Sequence, residues 1–134
     1  MIHSSHRFHG RNSLRFVYQK GQTVRGPLVA LRYIQNSRQP KYRVAVVVSR
    51  KVSKSAVVRN RVRRRLYEIV RKHAGRMSAP YDLVLSVYGE EAATMSHAGL
   101  QKLVLGALQK AGVMDKRPAP EAVHDMIDDK ETNL

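Results

Sequence analysis

The chain has 134 residues, 43% of them hydrophobic, which is enough for one domain with a modest core. Its 25 lysines and arginines outnumber its 10 acidic residues, the formal net charge is +15, and cysteine is absent. The sequence therefore excludes a disulfide framework, a thiolate metal site and a cysteine nucleophile, and it predicts a polyanionic partner.

The N-terminal segment, residues 1–10, contains three histidines at intervals of three residues: His3, His6 and His9. No carboxylate lies near them in the sequence, so we expect no functional metal site there. The segment also lacks the apolar stretch of a secretory signal, and no apolar run approaches the ~18–20 residues of a membrane span. We expect a cytoplasmic protein without a membrane partner.

The first predicted element is a short helix that begins near Asn12 and Ser13, whose side-chain oxygens can cap free backbone N–H groups. Three residues share one helical face by their i, i+3, i+4 spacing: Leu14, Val17 and Tyr18. Gly21, in a left-handed conformation, is expected to end this helix. Phe16 and Tyr18 suit stacking on unpaired bases, whereas aromatic residues of an amphipathic helix more often belong to the core.

Three later segments, 27–34, 42–49 and 81–88, alternate with the period of a strand. In the second and third of them one face carries only apolar residues: Val44, Val46, Val48, Leu83, Leu85 and Val87. The polar link 35–41 contains Pro40 and predicts a hairpin loop between the first two strands. Together the segments predict a small sheet with one face packed on helices and the other partly polar.

The segment from Val57 to Lys72, between the second and third predicted strands, contains six arginines, one lysine and a single acid, Glu68. At about 100° per residue, its apolar side chains fall within an arc of roughly 120°: Val58, Val62, Leu66, Ile69, Val70 and His73. The arginines and Asn60 lie outside this arc or at its border. The sequence thus predicts an amphipathic helix, entered at Ser55, with an almost wholly cationic outer face.

The last predicted helix begins at Ser96 and ends at Gly112. Residues 115–134 then contain six acids, two prolines and no aromatic residue, which predicts a disordered acidic tail after a domain of residues 1–114. This tail is either an inert extension or a weak intramolecular mimic of RNA.

Charge is distributed unevenly between these regions. Residues 1–76 carry a net charge of +19 and residues 77–134 a net charge of −4. Nucleic acid is the leading candidate partner, an anionic membrane surface is second, and a solvated cationic face is the simplest alternative. Arginine binds phosphate in bidentate fashion, so the arginine-rich helix favours direct phosphate contact. Asn60 either reads a base edge or 2′-hydroxyl or has a local capping role.

Catalytic groups are scarce in the chain. A hydrolase that holds Mg²⁺ through protein side chains needs several converging carboxylates. Before the tail there are four acids, Glu68, Asp82, Glu90 and Glu91, and each is more simply a solvated surface charge. The sequence therefore favours a protein that binds a polyanion over one that catalyses alone.

The stretch RNRVRRRL, residues 59–66, preceded by VAVVVSRKVSKSAVV, residues 44–58, resembles the protein subunit of bacterial ribonuclease P. The resemblance runs from about Arg7 to Leu108 and includes the first-helix stretch LRFVYQKG. It implies an α/β (α+β) two-layer sandwich with a small mixed sheet. It also implies that the basic helix forms an unusual left-handed crossover between parallel strands, an exception to the right-handed rule.

The resemblance further implies that the protein binds a large catalytic RNA, in a 1:1 complex that removes the 5′ leader from precursor tRNA. The catalytic Mg²⁺ would be held by the RNA. The residues implied to face the catalytic RNA are Arg59, Asn60, Arg61, Arg64 and Arg65. Those implied to bind the leader are Phe16, Tyr18, Arg32, Arg11, Arg50 and Lys51. Leu14 stands where the family usually has an aromatic residue, so one stacking platform is missing.

Two alternatives remain open at this point. The first is a non-catalytic RNA-binding protein of the ribosomal or RNA-chaperone type, which would share the cationic helix but lack a catalytic partner. The second is a protein-only nuclease, which would need a carboxylate cluster that the sequence does not contain.

Overall fold

A computed structural model describes residues 11–36 and 41–115, with side chains from residue 14 onward. In chain order the elements are α1 (Arg11–Lys20), β1 (Gln22–Arg25), β2 (Val29–Gln35), β3 (Arg43–Val48), α2 (Ala56–His73), the 3₁₀ turn Ala74–Arg76, β4 (Tyr81–Val87), the 3₁₀ turn Glu90–Ala93 and α3 (His97–Lys110). The three N-terminal histidines and all but the first residue of the predicted tail lie outside the described residues.

The strands form one mixed sheet in the order β1-β2-β4-β3, which confirms the α+β fold class. β4 is antiparallel to β2 and parallel to β3. The predicted hairpin between β2 and β3 is therefore wrong, because both strands pair with β4 and not with each other. Alternation along a strand determines its two faces but not its neighbours. α2 connects the parallel strands β3 and β4, as the resemblance implies.

Strand β1 was not predicted. Its four residues, Gln22–Arg25, are mostly polar and exposed, so they show no apolar alternation. The strand exists because it pairs with β2 in antiparallel register, from Gln22 opposite Tyr33 to Arg25 opposite Ala30. A pairing of this kind depends on the partner strand and cannot be detected in the sequence of β1 itself.

Gly21 ends α1, but it does not adopt a left-handed conformation as predicted. Among the described glycines, only Gly112, after α3, has a positive φ, of 81°. A Cβ atom at Gly21 would lie 2.5 Å from the carbonyl oxygen of Val17 and 2.9 Å from that of Tyr33. Glycine is required here because the end of α1 closely approaches β2.

The main core lies between the sheet and the helices α2 and α3. The inward side chains of β3 and β4 are those predicted from alternation, namely Val44, Val46, Val48, Leu83, Leu85 and Val87. The predicted stripe of α2 is buried as well, at Val62, Leu66, Ile69, Val70 and His73. Ser55 caps α2 as predicted, because its hydroxyl accepts a hydrogen bond from the Val58 N–H over 3.3 Å.

Tyr67 of α2 makes a contact that the apolar arc did not include. Its ring is buried, and its hydroxyl accepts a hydrogen bond from the backbone N–H of Val46 on β3 over 3.3 Å. Since β3 is an edge strand, this bond satisfies a backbone donor that the sheet leaves without a strand partner. α2 therefore covers part of the sheet edge as well as its face.

The opposite face of the sheet is partly polar, as predicted. α1 packs on it through Val17, which forms a small cluster with Ala45 and Val84. Side chains of Arg32 and Ser86 belong to the same face by their position in the register. Val47 and Ser86 on this face, near the carboxyl ends of β3 and β4, are only partly buried, so this end of the face is accessible to a ligand.

Asp82 is a buried carboxylate and not the solvated surface charge that we expected. It is 1% exposed. Its two oxygens accept hydrogen bonds from Nε of Arg43 over 3.0 Å and from NH2 of Arg43 over 2.8 Å, and Nδ2 of Asn36 donates a third over 2.9 Å. Arg43 is the cross-strand neighbour of Asp82 in the β3–β4 register. A bidentate arginine pair of this kind offsets the desolvation of the carboxylate.

We predict that Asp82→Asn lowers the free energy of unfolding by about 2–3 kcal/mol, because it removes the charge that pairs with the partly buried Arg43 guanidinium. Urea denaturation of both proteins measures the difference. Glu90→Gln is the matched control, since Glu90 is exposed, and it should change stability by less than about 0.5 kcal/mol. A loss below about 1 kcal/mol for Asp82→Asn would contradict this account of the ion pair.

Candidate nucleic-acid interface

The outer face of α2 carries exposed cationic side chains. Arg61, Arg64 and Lys72 are exposed, and within the described residues they donate no hydrogen bond and form no ion pair. Their positions follow from the burial of Val62 and Leu66, which fixes the rotation of the helix about its axis. The guanidinium groups of Arg61 and Arg64 are therefore available to bidentate phosphate contacts.

Arg59 and Arg65 differ from these residues because each donates hydrogen bonds to the protein itself. Arg65 donates from NH1 to the carbonyl of Ala92 over 2.8 Å and from NH2 to the carbonyl of Met95 over 2.7 Å. Arg59 donates from NH1 to the carbonyl of Ser53 over 2.9 Å. Arg65 thus ties α2 to the segment that contains the 3₁₀ turn Glu90–Ala93. Of the five residues implied to face the catalytic RNA, two therefore donate to backbone carbonyls of the protein, Arg59 and Arg65. The other three are exposed: Asn60, Arg61 and Arg64.

Asn60 is exposed on α2, and its Oδ1 accepts a hydrogen bond from NH1 of Arg63 over 2.7 Å. The local capping role that we left open does not apply, because Ser55 is the cap and Asn60 lies in the second turn. Its amide nitrogen donates to no acceptor in the described part of the chain. This nitrogen is thus a candidate donor to a base edge or a 2′-hydroxyl.

Glu68, the acid of α2, forms an ion pair with Arg71 over 2.7 Å. The hydrogen bond from Arg71 is the largest factor that lowers the pKa of the Glu68 carboxyl. The carboxylate is therefore ionised at neutral pH and offsets the charge of Arg71. The other cationic side chains of the outer face, Arg61, Arg63, Arg64 and Lys72, have no acidic partner among the described residues.

A second surface lies on the α1 side of the sheet. Phe16 and Tyr18 are 46% and 41% exposed, so the core interpretation of these aromatic residues is wrong. The Arg32 guanidinium lies over the Tyr18 ring, 5.2 Å from its centroid, and donates from NH1 to the Tyr18 carbonyl over 2.8 Å. Phe16 is two residues from Tyr18, about 160° away around the helix, so the two rings face different directions.

A concavity of about 340 Å³ opens at the carboxyl ends of β3 and β4. It is lined by Val47, Ser49, Lys51, Val52, Ser86, Val87 and Tyr88. Val47 also packs against the cluster under α1, so the concavity adjoins that helix. Lys51 supplies a cation, and Tyr88 is an aromatic side chain that is 57% exposed. Together these features suit a phosphate and a base of a single strand.

Two of the residues implied to bind the leader, Arg50 and Arg11, are not among the described residues that line the concavity. Arg50 is exposed but does not line the concavity, and the side chain of Arg11 lies outside the described residues. Sequence reasoning missed Tyr88. The available signal was its position at the end of the third predicted strand, on the polar face, where an aromatic residue has no core to fill.

In residues 11–36 and 41–115, no helix is long and apolar enough to cross a membrane. Over the same residues, no three His, Asp or Glu side chains are grouped as ligands of a metal ion.

Comparison with protein families and curated proteins gives one consistent result. A family model for ribonuclease P matches residues 2–112. The ribonuclease P protein component of Thermus aquaticus is 41% identical over 96 residues, which are 72% of this chain and 54% of the relative. The corresponding protein of Synechococcus sp. (strain RCC307) is 33% identical over 120 residues, covering 82% of this chain and 94% of the relative. The chain thus spans about half the length of the Thermus relative.

Solved structures show the same fold. The Staphylococcus aureus RNase P protein matches with a TM-score of 0.73 at 22% identity, covering 82% of this chain and 98% of that chain. The RNase P protein from Thermotoga maritima matches with a TM-score of 0.69 at 20% identity, covering 78% and 96% respectively. At these identities the likeness establishes a shared architecture.

We predict that Arg65→Ala lowers the free energy of unfolding by about 1.5–3 kcal/mol, because it removes two charge-assisted hydrogen bonds to backbone carbonyls. Arg64→Ala is the matched control, one residue away on the same helix, and should change stability by less than about 0.5 kcal/mol. Urea denaturation of the RNA-free proteins measures both. Equal losses for the two variants would show that Arg65 does not hold α2 to its neighbouring turn.

Proposed function

This chain belongs to the ribonuclease P protein family, and from that membership we propose that it is the RNA-binding component of a ribonuclease P holoenzyme. In this proposal it binds a catalytic RNA, in a 1:1 complex in the cytoplasm, and helps to remove the 5′ leader of precursor tRNA. The observation that carries the proposal is the outer face of α2, where Arg61 and Arg64 are exposed and have no partner among the described residues.

The proposed contact to the catalytic RNA follows from the chemistry of this face. Exposed like charges on a helix repel each other by a few tenths of a kcal/mol per pair, so a polyanion that neutralises them is bound favourably. Arginine forks match the geometry of phosphate oxygens. Asn60, between Arg59 and Arg61, adds an uncharged hydrogen-bond donor, which suits a base edge or a 2′-hydroxyl of the RNA. Arg59 and Arg65 contribute positive charge while they hold the local structure.

The proposed leader site is the surface formed by α1 and the free part of the sheet. Tyr18 with Arg32 lies on one part of it, and the concavity with Lys51 and Tyr88 lies on another. An extended single strand has exposed bases and phosphates along its length, which suits separate aromatic and cationic contacts.

The geometry of the chain relates the two proposed RNA surfaces. α2 packs on one face of the sheet and α1 on the other, so the surfaces lie on opposite sides of the same small sheet. Residues 49–55 connect the concavity directly to the first turn of α2. This arrangement allows one protein to hold the leader at a fixed distance from the catalytic RNA.

The carboxylates do not fit a Mg²⁺ site in the described part of the chain. Asp82 accepts hydrogen bonds from Arg43 and Asn36, and Glu68 is paired with Arg71. A cation would have to displace an arginine to reach either carboxylate. We therefore assign the protein the binding and positioning of RNA, and we propose that the catalytic RNA holds Mg²⁺ and supplies the hydrolytic chemistry.

A cleavage assay tests the proposal against its alternatives. Precursor tRNA is incubated at low Mg²⁺ concentration with the protein alone, with a ribonuclease P RNA alone, and with both. We expect cleavage at the leader junction to be strongest with both components, because the protein offsets phosphate repulsion. Cleavage by the protein alone would indicate a protein nuclease. No gain on addition of the protein would favour a stand-alone RNA-binding protein.

We predict that Tyr88→Ala and Tyr18→Ala each weaken binding of leader-bearing precursor tRNA to the holoenzyme by about 1–3 kcal/mol, through loss of base stacking. Binding of tRNA without a leader should not change. Phe16→Ala is the comparison variant, because its ring is equally exposed but points to another side of α1. If Phe16→Ala alone weakens leader binding, the strand crosses the other side of the helix and the site proposed above is wrong.

A further inference from the structure

The described chain ends beside the basic helix. After α3 the chain turns back, and Met114 forms an isolated β-bridge with Met77, just after α2. Arg76 then holds Asp115, with Nε donating to Oδ1 over 2.9 Å and NH2 donating to the backbone carbonyl over 3.3 Å. Residues 116–134 therefore start at the end of α2 whose last turn contains Arg71 and Lys72.

The segment that starts there begins with two cations, Lys116 and Arg117, and is complementary in charge to the outer face of α2 from residue 121 onward. Between residues 121 and 131 it contains five acids and one lysine. The acids are Glu121, Asp125, Asp128, Asp129 and Glu131. On the outer face of α2, by contrast, Glu68 is the single acid, and it is already paired with Arg71.

The lengths of the two segments allow contact along the whole face. An α-helix of 18 residues, the length of α2, is about 27 Å long. The sixteen residue-to-residue steps from Asp115 to Glu131 span at most about 55 Å when extended. The acids can therefore reach Lys72 and Arg64, and also Arg61 near the start of the helix, without release of the Arg76–Asp115 contact.

We propose that residues 116–134 bind the cationic outer face of α2 in the absence of RNA and that RNA displaces them. This inference rests on the proposed function, because it gives the RNA-binding face an intramolecular competitor. Tethering makes the acids an effective ligand at roughly millimolar local concentration. Exposed ion pairs are individually weak and are screened by salt, so the contact is reversible.

Such a competitor selects between RNAs by their affinity. Displacement of the segment lowers the binding constant of every RNA that uses this face by the same factor. An RNA whose dissociation constant stays well below its concentration remains bound. An RNA whose dissociation constant rises above its concentration is released. The segment would thereby keep the protein available to its high-affinity partner.

The first experiment compares the full chain with a variant in which the five acids are replaced by their amides: Glu121→Gln, Asp125→Asn, Asp128→Asn, Asp129→Asn and Glu131→Gln. The probe is a 30-nucleotide polyuridine strand, and both proteins also carry Tyr18→Ala and Tyr88→Ala, which remove base stacking at the proposed leader site, so that the strand binds mainly through its phosphates. At 50 mM NaCl we expect the variant to bind about tenfold more tightly, the effect of a few exposed ion pairs. At 500 mM NaCl the difference should fall below about twofold because charges are screened. Equal affinities at 50 mM NaCl would overturn the proposal.

A matched pair of variants separates the contact from the change in net charge. Two double variants each raise the net charge by two. The first pair is Asp128→Asn with Asp129→Asn, in the proposed segment. The second pair is Glu90→Gln with Glu91→Gln, whose side chains are exposed at the 3₁₀ turn. Only the first pair should strengthen polyuridine binding at low salt. Equal gains from both pairs would show a general charge effect and overturn the proposal.

A second measurement detects the contact directly. Because the chain contains no cysteine, Thr132→Cys provides a unique attachment point for a nitroxide spin label. We expect the amide NMR signals of Arg64 and Arg71 to weaken at 50 mM NaCl and to recover with polyuridine or 1 M NaCl. The signal of Thr23, on the far edge strand β1, should not change. No effect on α2 would contradict the proposal.

The cleavage assay with a ribonuclease P RNA distinguishes failure of this inference from failure of the proposed function. If the full chain activates that RNA but the five-acid variant binds polyuridine no better, only the competitor is wrong. If the full chain fails to activate it, the proposed function is wrong, and the spin-label measurement still decides whether residues 116–134 contact α2.

Discussion

Burial of the apolar stripe of α2 against the sheet is the interaction on which the rest of the molecule depends. Burying a side chain such as Leu66 or Ile69 contributes about 1.5–3 kcal/mol, whereas repulsion between neighbouring arginines on the helix costs only a few tenths per pair. Packing therefore holds α2 in place with like charges side by side. It also fixes the rotation of the helix, so that Arg61 and Arg64 face away from the core.

The arginines of α2 show how one residue type serves two purposes within two helical turns. Arg65 lies close enough to the segment after β4 to donate to two of its carbonyls, and it stabilises the packing of α2. Arg64, the preceding residue, is exposed and has no such partner among the described residues. Substitution of either residue would weaken RNA binding in the proposed function, but for different reasons. Measurements on the RNA-free protein are therefore needed to separate stability from contact.

The sheet separates two environments that the chain uses differently. Its face toward α2 and α3 is apolar and filled, whereas its face toward α1 holds only a small cluster around Val17. The polar groups of that second face include Asp82, which is buried against Arg43, and Ser86, which lines the concavity together with Lys51 of the segment after β3. The same sheet thus provides a core on one side and a candidate binding surface on the other.

The sequence by itself determined the inward faces of β3, β4 and α2, the caps at Ser55 and Ser96, the cationic character of α2 and the family. These are local properties, because the period of apolar residues and the cap chemistry lie within one segment. Only the tertiary structure decided that β4 separates β2 from β3, that β1 exists, that Asp82 is buried, and that Arg65 donates inward while Arg64 does not. Each of these depends on which distant segment lies opposite, and a residue's own neighbours in sequence do not contain that information.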